Sequence, residues 1–160
     1  MSWLNTSIGA IPGAIPPLGG WAAATGGLDW GGWILFMILF LWQHPHFYAI
    51  AWMCKEDYKR AGFKMLPVIE PDGRRTFSQI KLFSFLLIPV SLLPTVIGLS
   101  GALYFGGALI MGLSLLGVGW LFTFSKSMGD ARKLLKASVI YLPALLFLII
   151  VDASFKIFQK

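Results

Sequence analysis

The chain alternates long apolar stretches with short polar connections. Four apolar stretches approach the roughly 20 residues that an α-helix needs to cross a bilayer, and they cover residues 33–53, 80–97, 106–124 and 137–152. Each stretch is continuous instead of alternating in polarity over short segments, which is typical of membrane-spanning helices and not of membrane barrels. The pattern predicts an all-α, polytopic transmembrane helix bundle.

A fifth apolar stretch, residues 7–25, is interrupted by proline at positions 12, 16 and 17 and by several glycines. Each proline removes a backbone donor, and unpaired carbonyl groups at membrane depth need cover from protein or a cavity. The stretch is therefore either a discontinuous helix that lines a site or a kinked helix that packs against a neighbour, since Gly and Pro are common in membrane spans. With it, the bundle has about five spans.

Composition supports a membrane protein without a separate soluble domain. The mean hydropathy is +0.75, with 57% hydrophobic and 12% charged residues. Soluble domains average about 25% charged residues. The whole chain, residues 1–160, is therefore assigned to a single transmembrane domain.

Positive charge is concentrated in the connections between spans. The net charge is +6, and all 13 Lys and Arg residues lie from Lys55 onward. Most lie in two connections, residues 54–78 and 125–136, which are separated by two spans and so lie on one side of the membrane. The positive-inside rule makes that side cytoplasmic and indicates a multi-pass protein of the cell inner (plasma) membrane. Because membrane topology explains the charge, no nucleic-acid partner is expected.

The span 33–53 carries unusual polar residues: Gln43, His44 and His46. Such side chains are costly in a bilayer unless they have partners, so they indicate either a functional site or hydrogen bonds between helices. On a straight helix with 100° per residue, Gln43, His46 and Asp57 share one face, and His44 points almost the opposite way. A tetrahedral metal site is not supported, because well-spaced Cys and His ligands are lacking.

A second polar group, Asp57, Lys59 and Arg60, follows the same span. A carboxylate can hold Mg²⁺ together with substrate phosphates, and Lys and Arg suit phosphate oxygens. The alternative is a solvated loop that only sets the topology. Asp130, Arg132 and Lys133 in the other basic connection are a weaker candidate of the same kind.

Four segments of the chain resemble the haem O synthases, the protohaem IX farnesyltransferases of the UbiA prenyltransferase superfamily. They begin with Ile-Pro-Gly-Ala-Ile-Pro-Pro and Trp-Gln-His-Pro-His-Phe and continue with Glu-Asp-Tyr-Lys-Arg-Ala-Gly and a final segment, at residues 11–21, 42–47, 56–67 and 130–143. The resemblance implies a bundle of nine transmembrane helices around a central cavity. The first aspartate-rich motif of that family is absent, so the chain is expected to be a C-terminal half with about five of the nine helices, inactive alone.

For the complete enzyme, the resemblance implies transfer of a farnesyl group from farnesyl diphosphate to a vinyl group of protohaem IX. Asp57, Lys59 and Arg60 would be catalytic residues at the diphosphate, with Asp57 as a ligand of the cofactor Mg²⁺. Haem is a substrate and not a cofactor, and the residues implied to bind haem or the isoprenoid are Gln43, His44, His46, Phe47 and Tyr58. Further implied partners are the lipid bilayer and haem A synthase or cytochrome oxidase assembly proteins.

Two alternatives stay open. One is a prenyltransferase of the same superfamily with an aromatic quinone precursor as acceptor. The other is a non-catalytic membrane protein that binds haem or lipid, whose charged loop only sets the topology.

Overall fold

The computed structural model describes residues 5–158, apart from the side chains of residues 153 and 155–158. Seven helices and no strands are found in that range. They are α1 (Asn5–Thr25), α2 (Trp30–Met53), α3 (Lys55–Arg60), α4 (Leu66–Ile69), α5 (Arg74–Val96), α6 (Ala102–Ser125) and α7 (Met128–Phe158).

Four of these helices, α2, α5, α6 and the Met128–Asp152 part of α7, are long and apolar enough to cross a membrane. The all-α, polytopic fold is thus confirmed. The fifth predicted span corresponds to α1, which has 21 residues and is not one of these four. Two spans begin earlier than hydropathy predicts, α5 at Arg74 and α7 at Met128, because a helix can continue into water where its charged side chains are solvated.

The four long helices form a closed ring. Helix α2 packs against α5 and α7, and α6 packs against the same two helices from the opposite side. Their shared core is apolar and aromatic, with fully buried Ile38, Leu87, Tyr104, Phe122 and Leu145. Helix α1 lies outside the ring and packs against α2.

Helix α1 is a single continuous α-helix despite Pro12, Pro16 and Pro17. The prediction of a discontinuous helix is therefore wrong, and the alternative of a packing helix describes the structure. The buried residues of α1 are Thr6, Ala10 and Ala14, whose spacing of four places them on one face. These small side chains let α1 approach α2 closely. This packing stabilises α1 as a helix although its prolines lack N–H donors.

The two basic connections meet at one end of the ring, which we call the charged end. The Lys126 Nζ donates a hydrogen bond of 2.9 Å to the backbone oxygen of Asp72 and lies 5.5 Å from the ring centre of Phe77. Lys126 ends α6 in the left-handed conformation, with φ of 50°. The two basic connections are thus in contact at one end of the bundle, and the cytoplasmic location of that end stays a prediction.

At the opposite end of the ring, a buried acid links α7 to the start of α6. Asp152 of α7 accepts hydrogen bonds from the backbone N–H groups of Gly101 and Tyr104, which are among the unpaired donors at the start of α6. A carboxylate also interacts favourably with the positive end of the helix dipole. This acidic residue, at the end of the last predicted span, therefore has a structural role.

Candidate functional site

Gln43 joins α2 to α1. Its buried Nε2 donates to the backbone oxygen of Ala10 at 3.1 Å and to that of Leu39 at 3.2 Å. A side chain at Gly13 would collide with the Gln43 amide, so the absence of a Cβ there makes room for the contact. In this arrangement, Gln43 supplies a hydrogen bond between helices.

His44 is fully buried, and both of its ring nitrogens have partners. Its Nδ1 lies 2.8 Å from the backbone oxygen of Phe40. Because a carbonyl oxygen only accepts, Nδ1 carries the proton and Nε2 accepts from the Ser7 hydroxyl at 3.1 Å. The ring also stacks on Phe83 of α5, with 3.5 Å between ring centres. His44 is therefore a satisfied packing residue between α1 and α5.

His46 has one nitrogen that is not used. Its Nδ1 lies 2.9 Å from the Ser138 hydroxyl oxygen on α7, and that hydroxyl donates to the backbone oxygen of Leu135 at 2.7 Å. With the hydroxyl proton in that bond, the assignment that satisfies both contacts has His46 Nδ1 as the donor and leaves the lone pair on Nε2. No hydrogen-bond partner of Nε2 occurs within residues 5–158, and the side chain is half-buried.

The neighbours of these residues correct the predicted geometry. His44 and His46 do diverge, as predicted, the first towards α1 and α5 and the second towards α7. The predicted common face of Gln43, His46 and Asp57 is wrong. Gln43 contacts α1 instead of α7, and α2 ends at Met53, before the turn at Cys54 that separates it from α3. The angle of 100° per residue therefore does not extend to Asp57.

Phe47 and Tyr58, both predicted to bind substrate, line one cleft at the N-terminal end of α1. The cleft has a volume of about 180 Å³ and is completed by Asn5, Thr6, Gly9 and Met65. Its lining is mostly apolar, and the Nδ2 of Asn5 is buried there without a hydrogen-bond partner among the described residues. The cleft thus offers an apolar space with one polar group.

The charged residues Asp57, Lys59 and Arg60 are exposed on α3. Asp57 and Arg60 form an ion pair, and their side chains are 68% and 79% exposed. Asp130 forms a similar pair with Lys133 at 2.8 Å and accepts a hydrogen bond from the Ser127 hydroxyl, so it belongs to the first turn of α7. Among the described residues, no group of three or more His, Cys, Asp and Glu side chains is placed to hold a metal ion.

Ser138 is a site residue that the sequence interpretation missed. It is fully buried, and its backbone oxygen accepts a hydrogen bond of 2.8 Å from the Trp42 indole. Trp42 stacks on His46 with 4.7 Å between ring centres. A hydroxyl in an apolar span is a weak signal for contact between helices, but its partner lies 92 residues away in the sequence.

The sequence pattern of the UbiA prenyltransferase family matches residues 1–149, and the chain belongs to that family. The chain is 53% identical over 151 residues to the protoheme IX farnesyltransferase of Solibacter usitatus. The matched region covers 94% of this chain and 52% of the relative.

Other relatives have the same name. The protoheme IX farnesyltransferases of Salinibacter ruber and Koribacter versatilis are 47% and 44% identical, over 92% and 93% of this chain and 52% and 50% of their own lengths. The chain therefore spans about half the length of these curated relatives. No solved structure matches the chain. The resemblance drawn from the four sequence segments is thereby confirmed.

Proposed function

We propose that the chain is part of a protohaem IX farnesyltransferase, which transfers a farnesyl group from farnesyl diphosphate to a vinyl group of protohaem IX. The names of the relatives support this class of reaction. The observation in the structure that carries the proposal is the unused Nε2 of His46, because a neutral imidazole nitrogen is the usual protein ligand of haem iron. The whole chain, residues 1–160, belongs in this proposal to a single prenyltransferase domain.

The two histidines have different roles in this proposal. His46 contacts haem through Nε2, and Trp42, stacked on its ring, continues the aromatic surface. His44 cannot ligate iron without losing its hydrogen bond to Ser7, so it supports the helix packing instead. Gln43 likewise acts through α1.

The charged end receives the diphosphate. When the allylic C–O bond of farnesyl diphosphate breaks, its electron pair leaves with the diphosphate, and cations near those oxygens stabilise the transition state. Lys59 and Arg60 supply two such cations at the surface. The ion pair between Arg60 and Asp57 is exposed and worth at most about 1 kcal/mol, so phosphate oxygens can replace Asp57 as the partner of Arg60.

The cleft beside Tyr58 suits part of the apolar farnesyl chain. Tyr58 immediately follows Asp57, so the cleft adjoins the charged residues of α3. The rings of Phe47 and Tyr58 line it, and aromatic faces attract a developing allylic cation. The carbocation then bonds to the terminal vinyl carbon of the acceptor, and the positive charge moves to the vinyl carbon next to the porphyrin ring. A water molecule adds its oxygen to that carbon and releases a proton.

Mg²⁺ is the cofactor in this proposal. Asp57 supplies one carboxylate, and Mg²⁺ in phosphate sites is usually held by one or two carboxylates together with the substrate phosphates. When bound, the ion would neutralise part of the diphosphate charge. The described residues do not form a metal site without substrate.

We further propose that the charged end faces the cytoplasm of a bacterial-type inner membrane, in line with the positive-inside rule. Proteins that use the product, such as haem A synthase or cytochrome oxidase assembly proteins, are proposed as partners.

The proposal is tested on the chain in lipid nanodiscs. Protohaem IX is titrated into the wild-type chain, His46→Ala and His44→Ala, and the Soret band is recorded. We expect His46→Ala to abolish the shifted Soret band and His44→Ala to retain it at reduced protein stability. A wild-type spectrum equal to that of haem in empty nanodiscs would contradict the proposal.

A second function, haem binding without transfer, is favoured by the exposure of the Asp57–Arg60 pair. Because the chain is expected to be inactive alone, the nanodiscs for this test also contain the N-terminal half of a full-length relative. Supplied with farnesyl diphosphate and Mg²⁺, they distinguish the two functions by mass spectrometry of the haem. Replacing haem with a phenolic quinone precursor tests the alternative acceptor.

A further inference from the structure

Ser138 makes three polar contacts from a fully buried position on α7. Its hydroxyl donates to the backbone oxygen of Leu135 at 2.7 Å and accepts from His46 Nδ1 at 2.9 Å. Its backbone oxygen accepts from the Trp42 indole at 2.8 Å. One residue therefore contacts both the candidate haem-binding imidazole and the aromatic ring that stacks on it.

One order of donors satisfies all three groups in this chain of hydrogen bonds. The carbonyl of Leu135 can only accept, so the Ser138 hydroxyl points its single proton there and presents only lone pairs to His46. The tautomer of His46 with the proton on Nδ1 satisfies this arrangement. In the other tautomer the Ser138 hydroxyl would have to turn its proton from Leu135 to His46 Nδ1, and the ring proton would lie on Nε2.

The orientation of the ring is fixed by the same residue. Trp42 and His46 are nearly parallel, with 22° between their planes and 4.7 Å between their centres. Because the Trp42 indole is bonded to the backbone of Ser138, the stack cannot slide without breaking that bond. A ligand histidine in other proteins commonly donates its second ring N–H to a fixed acceptor, which sets its tautomer and raises its basicity.

We propose that Ser138 is a positioning residue, which acts through His46 by holding its proton on Nδ1 and its Nε2 lone pair towards the haem acceptor. The inference rests on the proposed function in one respect, that haem is the ligand of His46. The tautomer and the ring orientation follow from the hydrogen bonds alone and can be measured without haem.

The test compares Ser138→Thr with Ser138→Val in nanodiscs, since the two side chains have the same shape and differ in the hydroxyl group. Ser91→Ala is the matched control, because it removes another buried hydroxyl, which is bonded to Tyr141 at 2.7 Å and not to His46. The tautomer is read from the ¹⁵N chemical shifts of the histidine ring. Haem affinity and the iron–histidine stretching frequency of ferrous haem are read by optical and Raman spectroscopy.

We expect Ser138→Thr and Ser91→Ala to keep the Nδ1–H tautomer and the haem affinity. Ser138→Val should give a mixture of tautomers, a lower iron–histidine frequency and about tenfold weaker haem binding, the lower range for loss of a partner of a ligand histidine. Equal affinity, frequency and tautomer in the Thr and Val variants would overturn the inference.

The outcomes also separate this inference from the proposed function. Loss of haem binding in His46→Ala without any difference between the Thr and Val variants overturns the role of Ser138 alone. Retention of normal haem binding in His46→Ala overturns the proposed function, and the role of Ser138 with it.

Discussion

The carboxylate of Asp152 lies 3.2 Å from the backbone nitrogen of Tyr104 and also accepts from that of Gly101. An acid near the end of α7 thus completes the first turn of α6. Acids within membrane spans usually indicate a functional site, but here the positive end of a helix explains the residue.

Asp152→Ala should lower the free energy of unfolding by about 1–3 kcal/mol, because two buried backbone donors lose their acceptor. Asp152→Asn keeps one oxygen acceptor and should cost less. Unfolding in mixed detergent micelles measures the effect. Glu56→Ala, at an exposed acid of α3, serves as control, and equal stability of the two Ala variants would contradict the assigned cap.

Gly13→Ala should weaken the packing of α1 on α2. The added methyl group would collide with the Gln43 amide, and overpacking of this kind costs about 1–3 kcal/mol. Gly9→Ala is the matched control on the same helix, because a Cβ there meets no atom within 4 Å. Cysteine cross-linking between α1 and α2 measures the docked fraction, and a loss confined to Gly9→Ala would refute the contact.

Lys59→Ala and Arg60→Ala should each weaken the binding of a non-hydrolysable farnesyl diphosphate analogue by about tenfold or more, since a hydrogen bond to a charged group contributes about 1.5–3 kcal/mol. Neither should change the unfolding midpoint, because both side chains are exposed. Calorimetry in nanodiscs measures the affinity. Arg132→Ala on α7 is the control, because it also removes one positive charge. An equal loss of affinity in all three variants would show that only the net charge matters.

Lys126→Ala and Lys126→Gly should both free the segment around Asp72, because both lose the hydrogen bond from Nζ. Lys126→Gly should be more stable than Lys126→Ala. The left-handed conformation at this position costs a residue with a Cβ about 1–2 kcal/mol and costs glycine little. Hydrogen exchange of residues 61–73 reports the first effect and thermal unfolding the second. Unchanged exchange in both variants would show that the contact does not hold the segment.

Hydropathy could predict the four spans because partition into a bilayer depends on each stretch by itself. The neighbours of a side chain depend on the rest of the fold. The hydroxyl of Ser138 and the ring of His46 meet only because α7 closes the ring against α2, and no local pattern contains that information. The predicted common face failed at Asp57 because the helix is interrupted by a turn at Cys54. The residues around Cys54 are all compatible with a helix, so the sequence gives no sign of the turn.

The prolines of α1 illustrate the same limit. Their number left both a discontinuous helix and a packing helix open, because a proline removes one donor but leaves φ compatible with a helix. Whether the helix continues depends on its packing, in which Thr6, Ala10 and Ala14 of α1 lie against α2. Sequence alone could list both outcomes and could not choose between them.

The position of α1 outside the ring has a consequence for biosynthesis. A ribosome delivers α1 to the membrane before α2, its main packing partner, and only residues 26–29 separate the two helices. So short a connection brings α2 into the membrane soon after α1, and the interval in which α1 lacks its packing partner is brief. The two helices are therefore suited to enter the bilayer together as a hairpin, with Gln43 and His44 finding their acceptor and donor on α1 before the ring of four helices has closed.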